Sequence, residues 1–218
     1  MRNSGDSRSR SVRPKAFSKV PLSRPACSGF SLVELLITLA LLIVMSVMLW
    51  GFGSPSNQQK QKRRCRENLQ KLYLAMEIYA RDFQGDFPFV SDATTPAGAL
   101  HVLVPKYSVD TSIFICPGSK DAALPAGESI RNRHISYSYY MGRRADKGSE
   151  VLLSDEQVNA QSKALQTAVF SANGKAPGNN HHEFGGNFLF TDGRLETSSA
   201  VSPFDLSFGP KVVLLNPD

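Results

Sequence analysis

The sequence predicts an α+β fold in which two helical segments precede a region of short β-strands. Three patterns indicate this fold: an apolar segment, an amphipathic segment, and short runs of β-branched and aromatic residues separated by Gly, Pro, Ser and Asp. We divide the 218 residues into a leader (1–29), an apolar helix (30–52), an amphipathic helix (53–85) and a β-rich head (86–218). The head is long enough to form one compact domain around one core.

The apolar segment runs from Phe30 to Phe52, and Glu34 is its only charged residue. As a helix it would be roughly 35 Å long, which exceeds the hydrocarbon thickness of a bilayer, about 30 Å. The segment is therefore predicted to be a transmembrane helix. An ionised carboxylate at membrane depth costs at least about 2.5 kcal/mol, so Glu34 needs a functional reason.

The positive charge of the chain is concentrated before this helix. The formal net charge is +6, and the leader holds seven basic residues and one acidic residue, which is +6, so the remaining 18 basic and 18 acidic residues cancel. The basic residues of the leader are Arg2, Arg8, Arg10, Arg13, Lys15, Lys19 and Arg24. Such an excess keeps an N-terminus on the cytoplasmic side of a membrane, and no nucleic-acid partner is needed to explain it.

An ordinary cleaved secretory signal fits poorly. The apolar run is longer than a typical 7–15-residue signal core, and no A-x-A-like site follows it. Cys27 precedes the run and so does not fit a lipidation site. An uncleaved signal anchor remains the alternative, but it leaves Glu34 without a role.

The amphipathic segment shows the periodicity of a helix with one buried face. Its apolar stripe is Cys65, Leu69, Leu72, Met76, Tyr79 and Phe83, and Gly85 is a reasonable C-terminal stop. Gly51, Gly53 and Pro55 separate this helix from the apolar one. The basic residues Lys60, Lys62, Arg63, Arg64 and Arg66 are interpreted as a solvated helix face, with lipid contact or pairing between subunits as alternatives.

The sequence of the head predicts short strands separated by loops. Strands are predicted near Ile113–Cys116, Ile135–Met141, Val151–Ser154, Asn187–Thr191, Leu195–Thr197 and Lys211–Leu215. Asp192-Gly193 predicts a hairpin with a type I′ turn between two of these strands. Residues 86–105 and 171–183 read as long loops.

Two cysteines lie after the predicted membrane helix. Cys65 and Cys116 form an even pair on the oxidising side of the membrane, which favours a disulfide over two buried thiols. A disulfide would close a loop of about 50 residues and stabilise the head by about 4 kcal/mol.

Catalytic and metal-binding chemistry are poorly supported by the residues. No G-x-S-x-G, Walker, H-E-x-x-H or C-x-x-C motif is present, and Cys116 with His134 or His181 is only a formal nucleophilic pair, so no enzyme is predicted. Asp155, His181 and Asp192 are candidate metal ligands, with His182 and Glu183 nearby, but turn and hydrogen-bonding roles are favoured. Tyr137, Tyr139 and Tyr140 are interpreted as sheet-face aromatics, with sugar or base stacking as the alternative.

The run Gly29-Phe30-Ser31-Leu32-Val33-Glu34, followed by the apolar helix, resembles the cleavage and methylation site of type IV prepilins and type II secretion pseudopilins. The resemblance implies that prepilin peptidase cuts after Gly29, that Phe30 is N-methylated, and that Glu34 pairs with the N-terminal amine of a neighbouring subunit. It also implies a long helix whose first half is transmembrane and whose second half packs on a small antiparallel sheet.

The resemblance continues into the head. Cys65–Leu72, Gly85–Pro88, Phe114–Pro117, Asp155 and His181–Gly193 are similar to a prepilin-like family of environmental bacteria, although many relatives have histidine where this chain has Arg194.

The expected partners are prepilin peptidase, other pilin subunits and an inner-membrane assembly platform, with the head in the periplasm. Calcium is a possible cofactor because major pseudopilins bind it through oxygen ligands. A signal-anchored carbohydrate-binding or adhesive module that does not polymerise is the alternative function.

Overall fold

The computed structural model describes residues 31–50 and 55–217, with side chains described over 31–48 and 57–217. The chain divides into two compact units, residues 1–49 and 50–218, and each is described by itself. The predicted leader and the glycines at 51 and 53 lie outside the described residues.

The first unit contains helix α1, Leu32–Trp50. Its first backbone hydrogen bond runs from the Leu35 N–H to the Ser31 carbonyl, 3.0 Å. The predicted apolar helix is therefore present. Across the two described ranges, however, no helix reaches the combined length and apolarity of a membrane-spanning segment. The transmembrane character of residues 30–52 stays a prediction.

The second unit begins with helix α2, Pro55–Asp82. Four residues of the predicted stripe are fully buried, namely Cys65, Leu69, Leu72 and Met76, whereas Phe83 is 46% exposed. The helix ends in a Schellman-like turn: Gln84 has a positive φ of 55°, and the Gly85 N–H donates to the Ala80 carbonyl at 2.7 Å. The stop lies near Gly85 as predicted, with Gln84 in the left-handed position.

Five short strands form one antiparallel sheet: β1 (Tyr137–Met141), β2 (Val151–Asp155), β3 (Gly186–Phe190), β4 (Leu195–Ser198) and β5 (Val213–Leu215). Their spatial order is β4-β3-β2-β1-β5, and every neighbouring pair is antiparallel. Five of the six predicted strands are thus confirmed, and most of their observed ends lie within one or two residues of the predicted ends. A register shift between Val151 and Leu153 marks a bulge on β2.

Both faces of the sheet are covered, which explains why β1, β2 and β3 are buried along their whole length. Helix α2 packs on one face, over a core that includes Tyr139, Leu153 and Leu189. The other face carries Phe188 and Phe190, which pack with Phe170, Phe204 and Leu206 from the connecting segments. The head is thus a helix, a sheet and an apolar layer of loops.

The turn between β3 and β4 differs from the predicted type I′ hairpin. The Gly193 N–H donates to the Phe190 carbonyl at 3.0 Å, and Gly193 has a φ of 82°. Asp192 is not among the residues with positive φ, and a type I′ turn requires positive φ at both central positions. The connection is a type I turn followed by a left-handed glycine, the common three-residue alternative.

Two further predictions fail locally. The strand predicted near Ile113–Cys116 is a 3₁₀ helix over Thr111–Phe114, because Asp110 accepts the Ser112 N–H and caps that turn. The loop predicted over 86–105 contains a short helix α3, Pro96–Leu100, capped by Thr95. The loop over 171–183 has neither helix nor strand, as predicted.

Candidate functional site

Helix α1 presents apolar side chains in every direction around its axis. All residues from 31 to 48 are exposed, and the thirteen large hydrophobic side chains from Leu32 to Met48 are each 54–77% accessible. An amphipathic helix would bury one stripe and leave the other polar. A helix that is hydrophobic all round is one that needs an apolar environment on every side.

The polar side chains of α1 fall into two kinds. Thr38 donates its hydroxyl to the Leu35 carbonyl at 2.9 Å, and Ser46 donates to the Leu42 carbonyl at 2.7 Å. These hydroxyls are satisfied within the helix, which suits an environment without water. Glu34 lies in the first turn, is exposed, and has no hydrogen bond or ion pair with any described residue. Gly29 and Phe30, the predicted cleavage and methylation residues, lie outside the described residues.

A disulfide joins α2 to the segment before β1. Cys65 and Cys116 are bonded, with their Cα atoms 5.1 Å apart, and both are buried. Cys116 begins a turn in which the Ser119 N–H donates to the Cys116 carbonyl at 3.0 Å. The hydroxyl of Ser136, the residue before β1, accepts the Cys116 N–H at 2.9 Å and holds the turn in place.

Asp155 and His181 lie directly beside this disulfide. Asp155 ends β2, His181 comes from the long loop before β3, and the two are 1% and 0% exposed. His181 Nε2 lies 3.1 Å from Asp155 Oδ2 and 3.6 Å from Cys116 Sγ. The fold thus brings together two of the three candidate metal ligands with both cysteines of the head.

Two further residues contact this cluster, and the sequence had not predicted a site role for either. Asn187 on β3 donates its backbone N–H (2.7 Å) and its amide (2.9 Å) to Asp155 Oδ2. Lys62 on α2 donates to the carbonyls of Phe184 and Ser198 and is half-buried rather than solvated. Burial lowers the pKa of Lys62, and the Asp155 carboxylate opposes that shift. Lys60, Arg63, Arg64 and Arg66 are exposed, as a solvated face, lipid contact or pairing between subunits each requires.

Asp192 is not part of this cluster. It lies in the turn after β3, at the opposite end of that strand from Asn187, roughly 15 Å away along an extended chain. The carboxylate accepts the Arg194 N–H at 3.0 Å and shapes the hairpin. A calcium site needs six to eight oxygen ligands, and a single carboxylate beside an imidazole does not fit that requirement.

A catalytic triad is also absent from this cluster of described residues. In a Cys-His-Asp arrangement the two ring nitrogens contact different partners, whereas here both contacts fall on His181 Nε2. Cys116 is oxidised and buried. The aromatic alternative for Tyr137, Tyr139 and Tyr140 is wrong as well, because their exposures of 0%, 0% and 1% leave no ring face for a sugar or base.

One comparison with known proteins gives a match. Residues 24–50 match the family described as the prokaryotic N-terminal methylation motif. No curated protein and no solved structure matches the chain. The match covers the end of the leader and all of α1, which is the segment with the exposed apolar surface and the single carboxylate. The chain therefore carries the signature of type IV prepilin-like and pseudopilin-like proteins.

Proposed function

We propose that this chain is a structural subunit of a type IV pilus-like or type II secretion pseudopilus fibre, cut after Gly29 by prepilin peptidase and methylated at Phe30. One observation carries the proposal: within the methylation motif, α1 is apolar on all sides, uncovered, and bears a single carboxylate in its first turn. The head beyond it is a scaffold with a closed core, and we propose no catalytic role for it.

The apolar surface of α1 requires a partner. Each large hydrophobic side chain that passes from water into an apolar environment gains about 1.5–3 kcal/mol, and α1 has thirteen of them exposed. A lipid bilayer satisfies this need before assembly, and the same helices of neighbouring subunits satisfy it in a fibre. The basic leader supports insertion with the N-terminus in the cytoplasm and the head in the periplasm.

Glu34 provides the electrostatic attraction between subunits in the proposed assembly. Cleavage after Gly29 makes Phe30 the first residue, and its ammonium is then four positions before Glu34, on the same helix face. In an apolar environment an unpaired charge is costly and an opposite pair attracts strongly. The ammonium of an incoming subunit neutralises Glu34 of a docked subunit, which makes docking favourable and sets its register.

The first test is processing. The full chain is extracted from membranes with and without a prepilin peptidase, and its intact mass and N-terminus are determined. We expect peptidase-dependent loss of residues 1–29 and the added mass of one methyl group on Phe30. A Gly29→Leu variant is expected to keep the leader. A wild-type chain that ignores the peptidase would instead favour the signal-anchored alternative.

The second test separates assembly from processing. Glu34→Ala is expected to be cleaved like the wild type but to form few or no fibres, because docking loses its charge pair. Thr38→Ala is the matched control, since it removes a polar group one turn further along the same helix without touching the carboxylate. Normal fibres from Glu34→Ala would remove the proposed role of the glutamate.

A groove on the head favours the second candidate function, carbohydrate binding. It encloses about 980 Å³ beside the C-terminal end of α2, with Phe83 (46%) and Phe89 (57%) exposed along its wall. Arg143 and Arg144 line the same groove and are paired with carboxylates, Arg143 with Glu150 and Arg144 with Asp86 and Asp146. Exposed rings beside polar groups are suited to sugar stacking. Glycan-array binding that is lost in Phe89→Ser but retained in Val109→Ser, an exposed apolar control, would support this function.

A further inference from the structure

A small basic pocket lies on the head where the first turns of α2 meet β3 and β4. It encloses about 340 Å³, and its cationic side chains are Lys62, Arg63 and Arg66. None of the side chains that line it is acidic. The proposed fibre function gives this pocket no role, so the concentration of positive charge needs its own account.

Lys62 is the most buried of the three cations and is held in one position. Its ammonium donates to the carbonyls of Phe184 and Ser198, at 2.5 and 2.7 Å. Because an ammonium has three N–H donors, one of them is left for a ligand. Burial lowers the pKa of Lys62 although the Asp155 carboxylate opposes that shift, and an anion in the pocket would oppose it further.

The two arginines are exposed and are three positions apart, so they lie on the same face of α2. Among the described residues, Arg63 has no hydrogen bond or ion pair, and Arg66 has one hydrogen bond, to the Leu195 carbonyl at 3.4 Å. A guanidinium presents parallel N–H donors that match two oxygens of a phosphate. Two such groups beside a fixed ammonium suit an anion with several oxygens.

The polar wall of the pocket indicates what the anion is attached to. The Thr197 hydroxyl donates to Asn187 Oδ1 at 3.0 Å, and the Asn187 amide donates to the Lys62 carbonyl and to Asp155. These donors are occupied, and the Thr197 oxygen is left as an acceptor. A ligand with its own hydroxyl donor, such as a glycerol group, fits this wall. A choline or ethanolamine group would be repelled by the three cations.

The place of the pocket in the chain indicates a lipid as the source of the phosphate. Helix α2 begins at Pro55, and Lys62 is about 10 Å further along it. The proposed function places α1, the preceding helix, in the bilayer, so the chain itself limits how far this pocket can lie from the lipid headgroups. Anionic headgroups attract basic residues that follow a membrane helix closely.

We propose that this pocket binds the phosphate of one anionic glycerophospholipid. Arg63 and Arg66 donate to the phosphate oxygens, together with the remaining N–H of Lys62. Thr197 accepts a hydrogen bond from a hydroxyl of the headgroup. The assignment to a lipid rests on the proposed membrane insertion of α1 but not on polymerisation. Such a lipid would hold the head at the membrane surface until the subunit leaves the bilayer.

The test uses the full chain in a neutral detergent. The protein is incubated with equimolar phosphatidylglycerol and phosphatidylcholine, and the bound lipids are counted by native mass spectrometry. We expect one phosphatidylglycerol to bind about ten-fold or more tightly than phosphatidylcholine. The amide signals of Asn187 and Thr197 are expected to shift in nuclear magnetic resonance spectra of the same titration. Inorganic phosphate and glycerol phosphate, titrated alone, are expected to bind more weakly than the lipid.

Paired variants separate a site from general attraction between charges. Arg63→Gln/Arg66→Gln is expected to weaken phosphatidylglycerol binding by about ten-fold or more, because the phosphate loses its charge-assisted hydrogen bonds. Lys60→Gln/Arg64→Gln is the matched control, since it removes the same charge from the same turns of α2 at residues outside the pocket. The control is expected to bind within about two-fold of the wild type.

Four results would overturn the proposal. Equal losses in the two double variants would show attraction without a site, and equal binding of the two lipids would show no preference for an anion. Inorganic phosphate that binds as tightly as the lipid would make free phosphate the ligand. A single-stranded oligonucleotide that displaces the lipid at lower concentration would make the pocket a nucleic-acid contact.

The fibre function and this inference can fail separately. A chain that ignores prepilin peptidase but binds phosphatidylglycerol in the pocket would support the inference and count against the fibre function. A chain that is processed and assembles but shows no lipid preference would overturn the inference alone.

Discussion

At the residue scale, the ammonium of one buried lysine is held by oxygen atoms of a loop. Lys163 is 6% exposed, and its ammonium donates to Gln157 Oε1 and to the carbonyls of Asn159 and Gln161, at 2.7–2.9 Å. Three oxygen acceptors around one cation fix the segment that follows β2. Burial lowers the pKa of Lys163 to about 8.

That pKa gives stability a definite pH dependence. The unfolded chain holds the Lys163 proton up to about pH 10.5 and the folded chain only up to about pH 8, so the unfolded state binds more protons between them and stability rises with pH. We therefore expect the free energy of unfolding of the wild type to gain on that of Lys163→Met from about pH 7.5 to about pH 9.5, by at most about 1.4 kcal/mol per pH unit.

The comparison is made by denaturant unfolding at each pH. The two proteins share every other titrating group, including Lys62, so the difference between them isolates Lys163. Tyr140, whose pKa burial raises to about 12, titrates in both proteins, so its effect on stability cancels in the difference. Equal pH slopes in the two proteins would contradict the prediction.

The disulfide is the second residue-scale determinant of stability. It spans 51 positions in the sequence and ties α2 to the segment before β1. Replacing both cysteines by alanine is expected to lower the free energy of unfolding by about 4 kcal/mol, because the unfolded chain regains the freedom of that loop. Urea unfolding measures the loss. A Cys27→Ser variant is the control, and the same loss in that variant would contradict this account.

The buried cluster shows where inference from residue types stops. Asp155 and His181 were candidates because of their side-chain chemistry, but their pairing depends on a loop that returns to the end of β2. Asn187 lies in the segment His181–Gly193 that resembles the prepilin-like family, but the resemblance did not indicate its contact with Asp155. Lys62 was predicted to be solvated together with its basic neighbours. It differs from them because it lies on the part of α2 that contacts β3, where the Asn187 side chain donates to the Lys62 carbonyl at 3.1 Å.

At the element scale, the strands were predictable and the turns were not. The runs that became β1 and β3 are rich in aromatic residues, the run that became β2 is rich in aliphatic ones, and all three are buried on both faces. Ile113–Cys116 has a similar composition, but the cap from Asp110 and the Cys-Pro-Gly-Ser turn favour a 3₁₀ helix instead. Local capping outweighs strand propensity over so few residues.

The β3–β4 hairpin gives a sharp element-scale prediction. Gly193 has a φ of 82°, and a Cβ there would approach the Tyr73 ring of α2 to 2.7 Å. Gly148 has a similar φ of 85° with nothing within 4 Å of the added Cβ. Gly148→Ala therefore measures the backbone strain alone, expected to be about 1 kcal/mol, and Gly193→Ala adds the steric clash.

We expect Gly193→Ala to be the more destabilising of the two by about 1–3 kcal/mol, because overpacking forces the ring or the hairpin to move. Thermal and denaturant unfolding of the two variants measure the difference. Equal losses would show that the hairpin shifts away from α2 without cost. In that case the contact between Gly193 and Tyr73 would not position the hairpin.

At the scale of the whole molecule, the large apolar side chains of the head are mostly buried, whereas those of α1 are exposed. Packed apolar side chains cover both faces of the sheet. The large hydrophobic side chains of α1 from Leu32 to Met48 are exposed. The sequence predicts this division because the apolar segment has no polar stripe and α2 does. It does not predict which kind of fibre the proposed subunit would join, since that depends on surfaces of the head that no periodicity describes.

The division leads to a prediction about mixed assembly. Under the proposed fibre function, a Glu34→Ala subunit would still carry the Phe30 ammonium after cleavage, so it would dock on a wild-type subunit through that subunit's Glu34. The next subunit then finds no carboxylate to neutralise its own ammonium, and growth stops at the variant. The opposite polarity of pairing would instead exclude the variant from the fibre, because the incoming subunit would then have to supply the carboxylate. Glu34→Ala should therefore act as a chain terminator.

Co-expression of the two forms at graded ratios tests this idea, with fibre lengths measured by electron microscopy. We expect the mean length to fall in inverse proportion to the fraction of Glu34→Ala, while the number of fibres changes little. Thr38→Ala co-expressed at the same ratios is expected to leave length unchanged. Fibres that contain Glu34→Ala along their length at wild-type dimensions would show that the pairing does not drive growth, and that the apolar surface of α1 is sufficient.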